Sequence, residues 1–321
     1  MLFRSGGLFG DLSFARGSLT LNAGGRVDRW SLRDGALFEA PLAGGPALTD
    51  TRFANRSGWE GSGRLGAAVR LTPALSLRAA GYLGWRLPTL NELYRPFRAG
   101  ADATAANPLL DPERLRGIEA GADVTIGGGL SLRATGYWSR IGGAIGNVTL
   151  GTGPGTYPGV GFVAAGGAYR QRLNLDAIAA KGAELDLRWQ AGPWRASASW
   201  ALTDARVAAS GAAAALDGLR PAQTARHQGS ATLGWGQGGM SLALTGRYVG
   251  PQFEDDQNAR LLAAAFTLDV RAAVPLSSSL ALELRGENVG DARVETAISG
   301  GGIVERASPR TLWIGLSYRR R

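Results

Sequence analysis

The residue types that usually carry enzyme chemistry are scarce in this chain. It has 321 residues, no cysteine and a single histidine, His227. The nearest serine, Ser230, lies on the same predicted strand at an odd spacing, which places it on the opposite face. A hydrolase needs its base within hydrogen-bond reach of the nucleophile. We therefore expect no catalytic site, and the lack of cysteine excludes thiolate chemistry and cysteine-type zinc sites.

Two other groups of residues have the composition of binding motifs without completing one. Glu254, Asp255 and Asp256 form an acidic patch in a long loop, but calcium needs several converging oxygens, so a solvated loop is the preferred interpretation. The glycine runs 127–129 and 300–302 precede neither a helical pattern nor a Lys-Ser/Thr pair, which a phosphate cradle requires. We expect no metal site and no cofactor.

The positive charge of the chain raises the question of nucleic-acid binding. The formal net charge is +9, and clustered Lys and Arg can neutralise phosphates. The arginines are instead spread at about one per predicted strand, on the face that also carries the acids. This set comprises Arg70, Arg78, Arg133, Arg188, Arg195, Arg247, Arg271 and Arg285. Such a distribution favours a polar lumen, and we expect no nucleic-acid partner.

Any site must be positioned by strands, because the side chains alternate in polarity with a period of two. In the segment 182–202, Leu185, Leu187 and Trp189 fall on one face and charged or amide side chains fall on the other. A very short turn divides this segment into a hairpin. One hairpin does not decide whether its apolar face lines a soluble core or contacts lipid.

The same alternation recurs along the chain and predicts about thirteen strands of about ten residues each. They are 8–14, 19–30, 63–71, 75–85, 117–126, 130–140, 182–190, 194–202, 226–235, 240–249, 264–274, 280–287 and 309–318. Very short turns alternate with long connections, which are uncommon in compact soluble domains. In outer-membrane barrels, short turns face the periplasm and long loops face outward. We therefore predict an all-β protein, an antiparallel transmembrane β-barrel segment.

Tryptophans support this interpretation, because aromatic girdles mark both edges of the hydrocarbon layer. Trp189, Trp194 and Trp235 lie beside short turns, and Trp30, Trp85, Trp138 and Trp200 lie toward the long loops. A strand of about ten residues tilted by roughly 40° spans about 23 Å, close to the expected band of ~25 Å. The alternative is that these are core aromatics at strand ends. The start of the chain lacks the pattern of a signal peptide.

Five short motifs occur in the order of a known family. They are aromatic-Arg-x-Pro-x-x-x-Glu-Leu-Tyr at 85–94, Asn-Pro-x-Leu-x-Pro-Glu at 107–113, a strand entry at 118–121, Gly-x-Glu at 182–184, and a turn at 287–293 containing Asn288 and Asp291. Together they resemble the barrel of TonB-dependent outer-membrane receptors over most of the chain. Asn288 and Asp291 are expected to stabilise a tight bend through bonds to nearby backbone.

The resemblance implies an outer-membrane receptor for a scarce nutrient, commonly a ferric siderophore, with haem or cobalamin as other ligand classes. Family barrels have about 22 strands and a plug domain, so residues 1–321 are expected to form the C-terminal part of the barrel, without the plug. The implied partners are membrane lipid, a small-molecule ligand such as a metal chelate, and the TonB complex, contacted through an N-terminal region. The chain departs from the family in ending on Arg319, Arg320 and Arg321 rather than on an aromatic residue.

The long connection 86–116 is the richest candidate for ligand capture. It carries Tyr94, Arg95, Phe97 and Arg98, which combine aromatic faces with fixed positive charge. Such a set could hold an anionic, aromatic iron chelate through charge-assisted hydrogen bonds and stacking. The alternative role of these residues is loop packing.

Two other classes of protein fit the same alternation. An independent small barrel would act as a passive channel or adhesin and would pair its first strand with its last. A soluble β-sandwich or propeller would bury Leu132, Trp138 and Leu284 in an interior, whereas a membrane barrel would carry them on an outward belt.

Overall fold

The computed structural model describes residues 2–47 and 49–318, and its dominant feature is one antiparallel sheet of thirteen strands. Each strand pairs with its neighbours in chain order. The strands are β1 (Leu2–Arg16), β2 (Leu19–Arg33), β3 (Arg56–Thr72), β4 (Leu75–Arg86), β5 (Glu113–Gly127), β6 (Leu130–Gly142), β7 (Ala177–Ala191), β8 (Trp194–Ala208), β9 (His227–Gln237), β10 (Met240–Val249), β11 (Ala265–Pro275), β12 (Leu280–Glu287) and β13 (Thr311–Tyr318). The predicted all-β fold and its thirteen strands are confirmed. The predicted basic ending, 319–321, lies outside the described residues.

Several strands are longer than the alternation predicted. β3 has 17 residues and β7 has 15, where the sequence indicated about ten. The additional residues lie toward the long connections, where the ladder continues although the apolar-polar alternation fades. β7 pairs with β8 from Ala191 opposite Trp194 to Ala177 opposite Ala208 without a register shift. The strands therefore extend past the amphipathic band into the layer of loops.

The two faces of the sheet differ in polarity as predicted. Leu185 lies directly opposite Ala134 of β6 and Trp200 of β8, so the three side chains share one face. Trp138 and Leu284 also lie on the apolar face and are 38% and 42% exposed. They form part of an outward apolar belt rather than the interior that a soluble sandwich would require.

The opposite face carries a ladder of polar contacts. Arg78 donates to Asp123 at 3.2 Å and to the Thr135 hydroxyl at 2.6 Å. Arg133 donates to the other oxygen of Asp123, and Tyr137 shares a hydrogen bond of 2.9 Å with Thr203. Each of these bonds joins side chains on one face of the sheet, either between neighbouring strands or across one intervening strand, as the alternation requires. The arginines of the sequence prediction thus line the inner face together with the acids.

His227 and Ser230 lie on opposite faces of β9, as predicted. The His227 ring packs against Trp200 on the outer face, with 5.7 Å between ring centroids. Ser230 lies opposite Ser199 on the inner face, and their hydroxyls are 3.1 Å apart. The imidazole therefore has no access to this serine.

The long connections fold into short elements of their own at one end of the sheet. The strands among them are Gly35–Glu39, Thr49–Phe53, Phe97–Ala99, Asp102–Ala105, Ile145–Thr152, Gly155–Tyr157, Gly161–Val163, Ala168–Asn174, Gln252–Phe253, Leu261–Leu262, Glu295–Ile298 and Val304–Arg306. The helices are α1 (Leu90–Tyr94) and a 3₁₀ helix, Gly211–Leu216. No helix in the described part of the chain is long and apolar enough to cross a membrane. We call this end of the molecule the loop layer.

The sheet is open in the described residues. Its order begins with β1 and ends with β13, and among residues 2–47 and 49–318 no pairing joins these two strands. β1 exposes Leu8 and Leu12 and β13 exposes Ile314. The described residues therefore do not form the closed thirteen-strand barrel of the channel alternative.

Two of the tryptophans predicted for the aromatic girdle near the long loops, Trp30 and Trp85, pack inside the loop layer instead. Trp30 is 5% exposed and packs in the loop layer, with Trp85 against the same cluster. The reason is visible in the alternation, because Trp30 follows the inward Asp28 by two residues and shares its face. Trp59 of β3, which the sequence analysis did not single out, is an exposed aromatic at this end and lies under the Arg29 guanidinium at 5.2 Å.

The turn after β12 confirms the roles predicted for Asn288 and Asp291. Both residues have left-handed backbone, with φ of 47° and 52°. The Asn288 side chain accepts from the Ala292 amide and donates to the Ala292 carbonyl, each at 2.9 Å. Asp291 accepts from the Arg310 amide at 3.0 Å and so joins the turn to the start of β13. Asn and Asp tolerate this conformation better than other side chains.

The difference between the faces leads to a matched pair of substitutions. Leu185→Arg places a cation on the outer face, whereas Ala201→Arg places one on the inner face directly opposite Glu184. If the outer face contacts lipid, Leu185→Arg should destabilise the inserted chain by about 2–4 kcal/mol, and Ala201→Arg should change its stability little. Urea unfolding of the chain in lipid vesicles measures both. Equal losses for the two variants would contradict the assignment of the faces.

Candidate functional site in the loop layer

The loop layer contains the packed core of the molecule. Leu93 and Leu110 are fully buried, and they pack with Trp30, Leu32 and Tyr94. A second cluster surrounds Val148, Leu175, Val207 and Leu216, and a third surrounds Val163 and Tyr169. These clusters hold the long connections against the ends of the strands. The loop layer is therefore an ordered scaffold on which a binding site can be positioned.

Helix α1 is short but capped at its start. Thr89 accepts from the Glu92 amide at 3.2 Å, and Glu92 accepts from the Thr89 amide at 2.6 Å, which completes a capping box. Arg86 donates to the Glu92 carboxylate at 2.9 Å. Burial raises the pKa of Glu92, but the bonds from Arg86 and Thr89 outweigh it and hold that pKa below its ordinary value. The Arg-x-Pro-x-x-x-Glu motif is thus a device that anchors α1 to the end of β4.

Tyr94 and Arg95, the first two predicted ligand residues, lie at the end of α1. The Tyr94 ring is buried against Phe53, with 4.4 Å between centroids, and burial raises the pKa of its phenol. In this conformation the Tyr94 side chain has the packing role left open by the sequence. The Arg95 side chain is exposed, and its carbonyl accepts from Arg172 at 2.9 Å.

Phe97 and Arg98 lie on the following strand, Phe97–Ala99. The Phe97 ring is 58% exposed, and the Arg98 side chain is also exposed. Arg98 donates to the carbonyls of Val160 and Phe162, the latter at 2.9 Å. These bonds join the strand to a neighbouring loop that carries the exposed Phe162 ring. Ligand contact stays a prediction for all four residues.

The sequence did not indicate the role of Arg172. Its guanidinium donates to the carbonyls of Asn91 at 2.7 Å and Arg95 at 2.9 Å, which satisfies the C-terminal end of α1. Burial lowers the pKa of Arg172. The only signal in the sequence was the alternation of the segment 168–174, which lies inside a connection predicted as loop.

A cavity of about 620 Å³ lies between the connections of the loop layer. Its apolar lining includes Ile145, Leu175, Ile178, Val207 and Leu216. Its charged lining comprises Asp102, Arg170, Arg220, Glu254, Asp255, Asp256, Arg260 and Glu305. Pockets of this size, with an apolar wall and a few placed polar groups, suit small-molecule ligands.

Most charged groups of the cavity are already bonded within the protein. Asp102 accepts from Arg170 at 2.8 Å, and Asp256 accepts from the Thr149 hydroxyl at 2.7 Å. Arg220 differs, because within the described part of the chain it has no carboxylate at ion-pair distance and instead lies over the Phe253 ring at 4.7 Å. Arg220 is thus the cation of this cavity that is most available to an anionic group.

The prediction that the acidic patch at Glu254, Asp255 and Asp256 is a solvated loop is wrong for Asp255, which is buried. Asp255 is only 7% exposed and accepts from the amides of Gln257, Ala259 and Arg260 at 3.1, 3.0 and 2.7 Å. Its carboxylate therefore organises the loop rather than facing water. Among the residues that the structure describes, no group of His, Cys, Asp and Glu side chains converges in a way that could hold a metal ion.

These features define a class of protein. A broad antiparallel sheet with an apolar outer face, a charged inner face, short turns at one end and long loops at the other is typical of the wall of an outer-membrane β-barrel. The family model described as TonB dependent receptor-like, beta-barrel matches residues 3–289. The chain belongs to the TonB-dependent receptor family. The resemblance predicted from the five motifs is confirmed.

Solved structures agree with this fold. The copper transporter OprC aligns with a TM-score of 0.76 at 21% identity, over 98% of this chain and 48% of that protein. The ferric yersiniabactin uptake receptor FyuA from Yersinia pestis aligns with a TM-score of 0.71 at 16% identity, over 98% and 45%. The siderophore receptor PiuA from Acinetobacter baumannii aligns with a TM-score of 0.70 at 15% identity, over 94% and 41%.

The chain thus spans about half the length of these proteins or less. No curated protein matches it by sequence.

The buried carboxylate of Asp255 makes the loop layer sensitive to acid. Burial raises the pKa of Asp255, but the bonds from Ala259 and Arg260 outweigh it, so its folded pKa is lower than its unfolded pKa. The stabilisation is therefore complete above the unfolded pKa and is lost as the pH falls through the folded value. Asp255→Asn should destabilise the loop by about 1–3 kcal/mol at neutral pH. It should also weaken the acid dependence of amide exchange in residues 252–262.

The control for this experiment is Glu305→Gln, which alters an exposed carboxylate at the same cavity. If Glu305→Gln and Asp255→Asn changed amide exchange equally, the structural role of Asp255 would be refuted.

Proposed function

We propose that this chain forms part of the wall and of the ligand-binding end of an outer-membrane receptor that takes up a scarce nutrient, with a ferric siderophore as the ligand class. The observation that carries the proposal is membership of the TonB-dependent receptor family together with an ordered loop layer at one end of the sheet. On this proposal the protein is a transporter and not an enzyme.

The membrane placement follows from the polarity of the two faces. Lipid contacts the outer belt that includes Leu185, Trp138 and Leu284, and the arginine-rich inner face borders a hydrated lumen. Unpaired strand edges are too costly to face lipid, so β1 and β13 pair with further strands in the working receptor. In this arrangement residues 1–321 supply the C-terminal part of the barrel domain and none of the plug.

The loop layer supplies the surface for ligand capture. Arg95 and Phe97 are exposed on adjacent elements, Phe97 offers an aromatic face, and Arg95 offers a planar cation that can bond a carboxylate or a catecholate oxygen. Arg98 contributes by holding the strand of Phe97 against the loop that carries Phe162. Tyr94 contributes by packing the end of α1 against Phe53 in the loop layer.

A chelated metal fits this surface better than a bare ion. Soft metal ions prefer thiolate, thioether and imidazole ligands, and the chain has no cysteine, two methionines and one histidine. His227 lies on the outer face and packs against Trp200. Energised release of the ligand requires the TonB complex. We assign the contact with this complex to a region of the receptor outside these residues.

Substitution of the exposed pair tests the proposed site. Arg95→Ala should weaken ligand binding by roughly 10- to 100-fold, because a charge-assisted hydrogen bond contributes about 1.5–3 kcal/mol. Phe97→Ala should weaken it by a similar factor through the loss of a stacking surface. The measurement is the binding of radiolabelled ferric catecholate, hydroxamate and phenolate siderophores to membranes that contain the chain.

The matched control is Arg16→Ala, which removes an exposed arginine at the short-turn end of β1 and should leave binding unchanged. If none of the three classes binds, the siderophore assignment is wrong. If a class binds and both loop variants bind as well as the unaltered chain, the assignment of Arg95 and Phe97 is wrong.

A further inference from the structure

The outer face of β5 to β8 carries a cluster of cations at the edge next to the loop layer. Arg116 of β5 lies directly opposite Arg140 of β6. Arg140 lies opposite Ala179 of β7, which in turn lies opposite Arg206 of β8. One row across four adjacent strands therefore holds three arginines.

The neighbouring row fixes the face and the height of this cluster. Trp138 lies opposite Lys181, and the Arg116 guanidinium lies over the Trp138 ring at 5.8 Å. Trp138 belongs to the outward apolar belt, so the cations point away from the lumen. Tryptophans at the end of such a belt lie at the level of lipid headgroups. The arginine row lies about 7 Å farther along the strands, two residues toward the loops.

The facing arginines of the cluster, Arg116 and Arg140, are poorly compensated by the protein. Asp204 is the acid of these two rows; it lies directly opposite Lys181, and its carboxylate is 3.4 Å from Arg206. Within the described part of the chain, Arg116, Arg140 and Lys181 have no carboxylate at ion-pair distance. Like charges placed directly opposite each other destabilise a strand pair unless an anion lies between them. The facing pair Arg116 and Arg140 is therefore arranged for an external anion.

The other end of the same four strands has the opposite character. Its outward side chains beside the short turns include Leu130, Trp189 and Trp194, whereas Arg188 and Arg195 lie on the inner face. Outward cations on β5 to β8 thus concentrate at the loop end. This asymmetry points to one leaflet rather than to a general affinity for membranes.

We propose that Arg116, Arg140 and Lys181 bind a phosphorylated headgroup of a lipid in the leaflet at the loop end. The guanidinium groups are planar forks that match phosphate oxygens, and Lys181 adds a point charge one row below. Trp138 packs beside the acyl chain at the headgroup boundary. The assignment goes beyond nutrient uptake and depends only on the placement of the sheet in a bilayer.

The test uses the full chain in phosphatidylcholine bilayers that contain a minor fraction of spin-labelled phosphatidic acid, which carries a phosphomonoester. Motionally restricted phosphatidic acid should exceed restricted labelled phosphatidylcholine. The double substitution Arg116→Gln and Arg140→Gln should reduce the phosphatidic acid preference by roughly fivefold for each arginine, as expected for basic residues at a membrane surface.

The matched control is Arg188→Gln with Arg195→Gln, which removes the same charge from the inner face of β7 and β8. This control should keep the full lipid preference. Equal preference in the outer double variant and the unaltered chain would overturn the proposal, as would an equal loss in the inner control.

Competition with inorganic phosphate distinguishes a lipid-binding site from a site that binds free anions. A lipid site should retain the labelled lipid at phosphate concentrations that abolish binding at a simple anion site, and ready displacement would refute the lipid assignment. None of these readouts needs a siderophore or TonB, so failure of the binding assay with ferric siderophores leaves them unaffected.

Discussion

The constraint on which the rest of this structure depends is the pairing of thirteen consecutive strands into one sheet whose two faces meet different surroundings. Each strand between the two edges, β1 and β13, satisfies its backbone groups through its neighbours, and successive side chains point to opposite faces. A shift of one residue in any pairing would exchange the apolar and the charged face of a strand. The register from Leu185 to Ala134 and Trp200 shows that this exchange is avoided across β6 to β8.

This constraint also explains why the packed core lies at the end of the sheet. The band of alternating residues has no second layer in the described residues, so its apolar side chains remain outside and its polar side chains bond to one another. Burial of large hydrophobic side chains occurs where the long connections fold over the strand ends, around Trp30, Leu93, Leu110, Val148 and Leu175. Burial of these side chains therefore stabilises the loop layer, and its acids and arginines hold the connections in place through hydrogen bonds. Asp255 and Arg172 show this most directly, because each bonds to several backbone groups.

The same arginine chemistry has different consequences at three places in the molecule. On the inner face, Arg78 and Arg133 share Asp123, so their charge is compensated within the sheet. In the loop layer, Arg86 and Arg172 hold helix α1 in place through Glu92 and backbone carbonyls. On the outer face, Arg116 and Arg140 face each other without an acid at ion-pair distance among the described residues. The position of an arginine relative to the faces, rather than its count, decides whether it stabilises the fold or is available to a ligand.

The sequence by itself determined the fold class, the thirteen strands, the polarity of the faces and the Asn288 turn, because these depend on alternation and local turn chemistry. It did not reveal the strands inside the long connections, the burial of Trp30 and Tyr94, or the bonded state of Asp255. Those features depend on contacts between connections far apart in the chain, such as Phe53 with Tyr94 and Thr149 with Asp256. The sequence of a loop has no periodic pattern of polarity from which its contacts with other loops can be inferred. Only the tertiary structure decided which predicted ligand residues are exposed, because exposure is set by what packs above a side chain and not by its type.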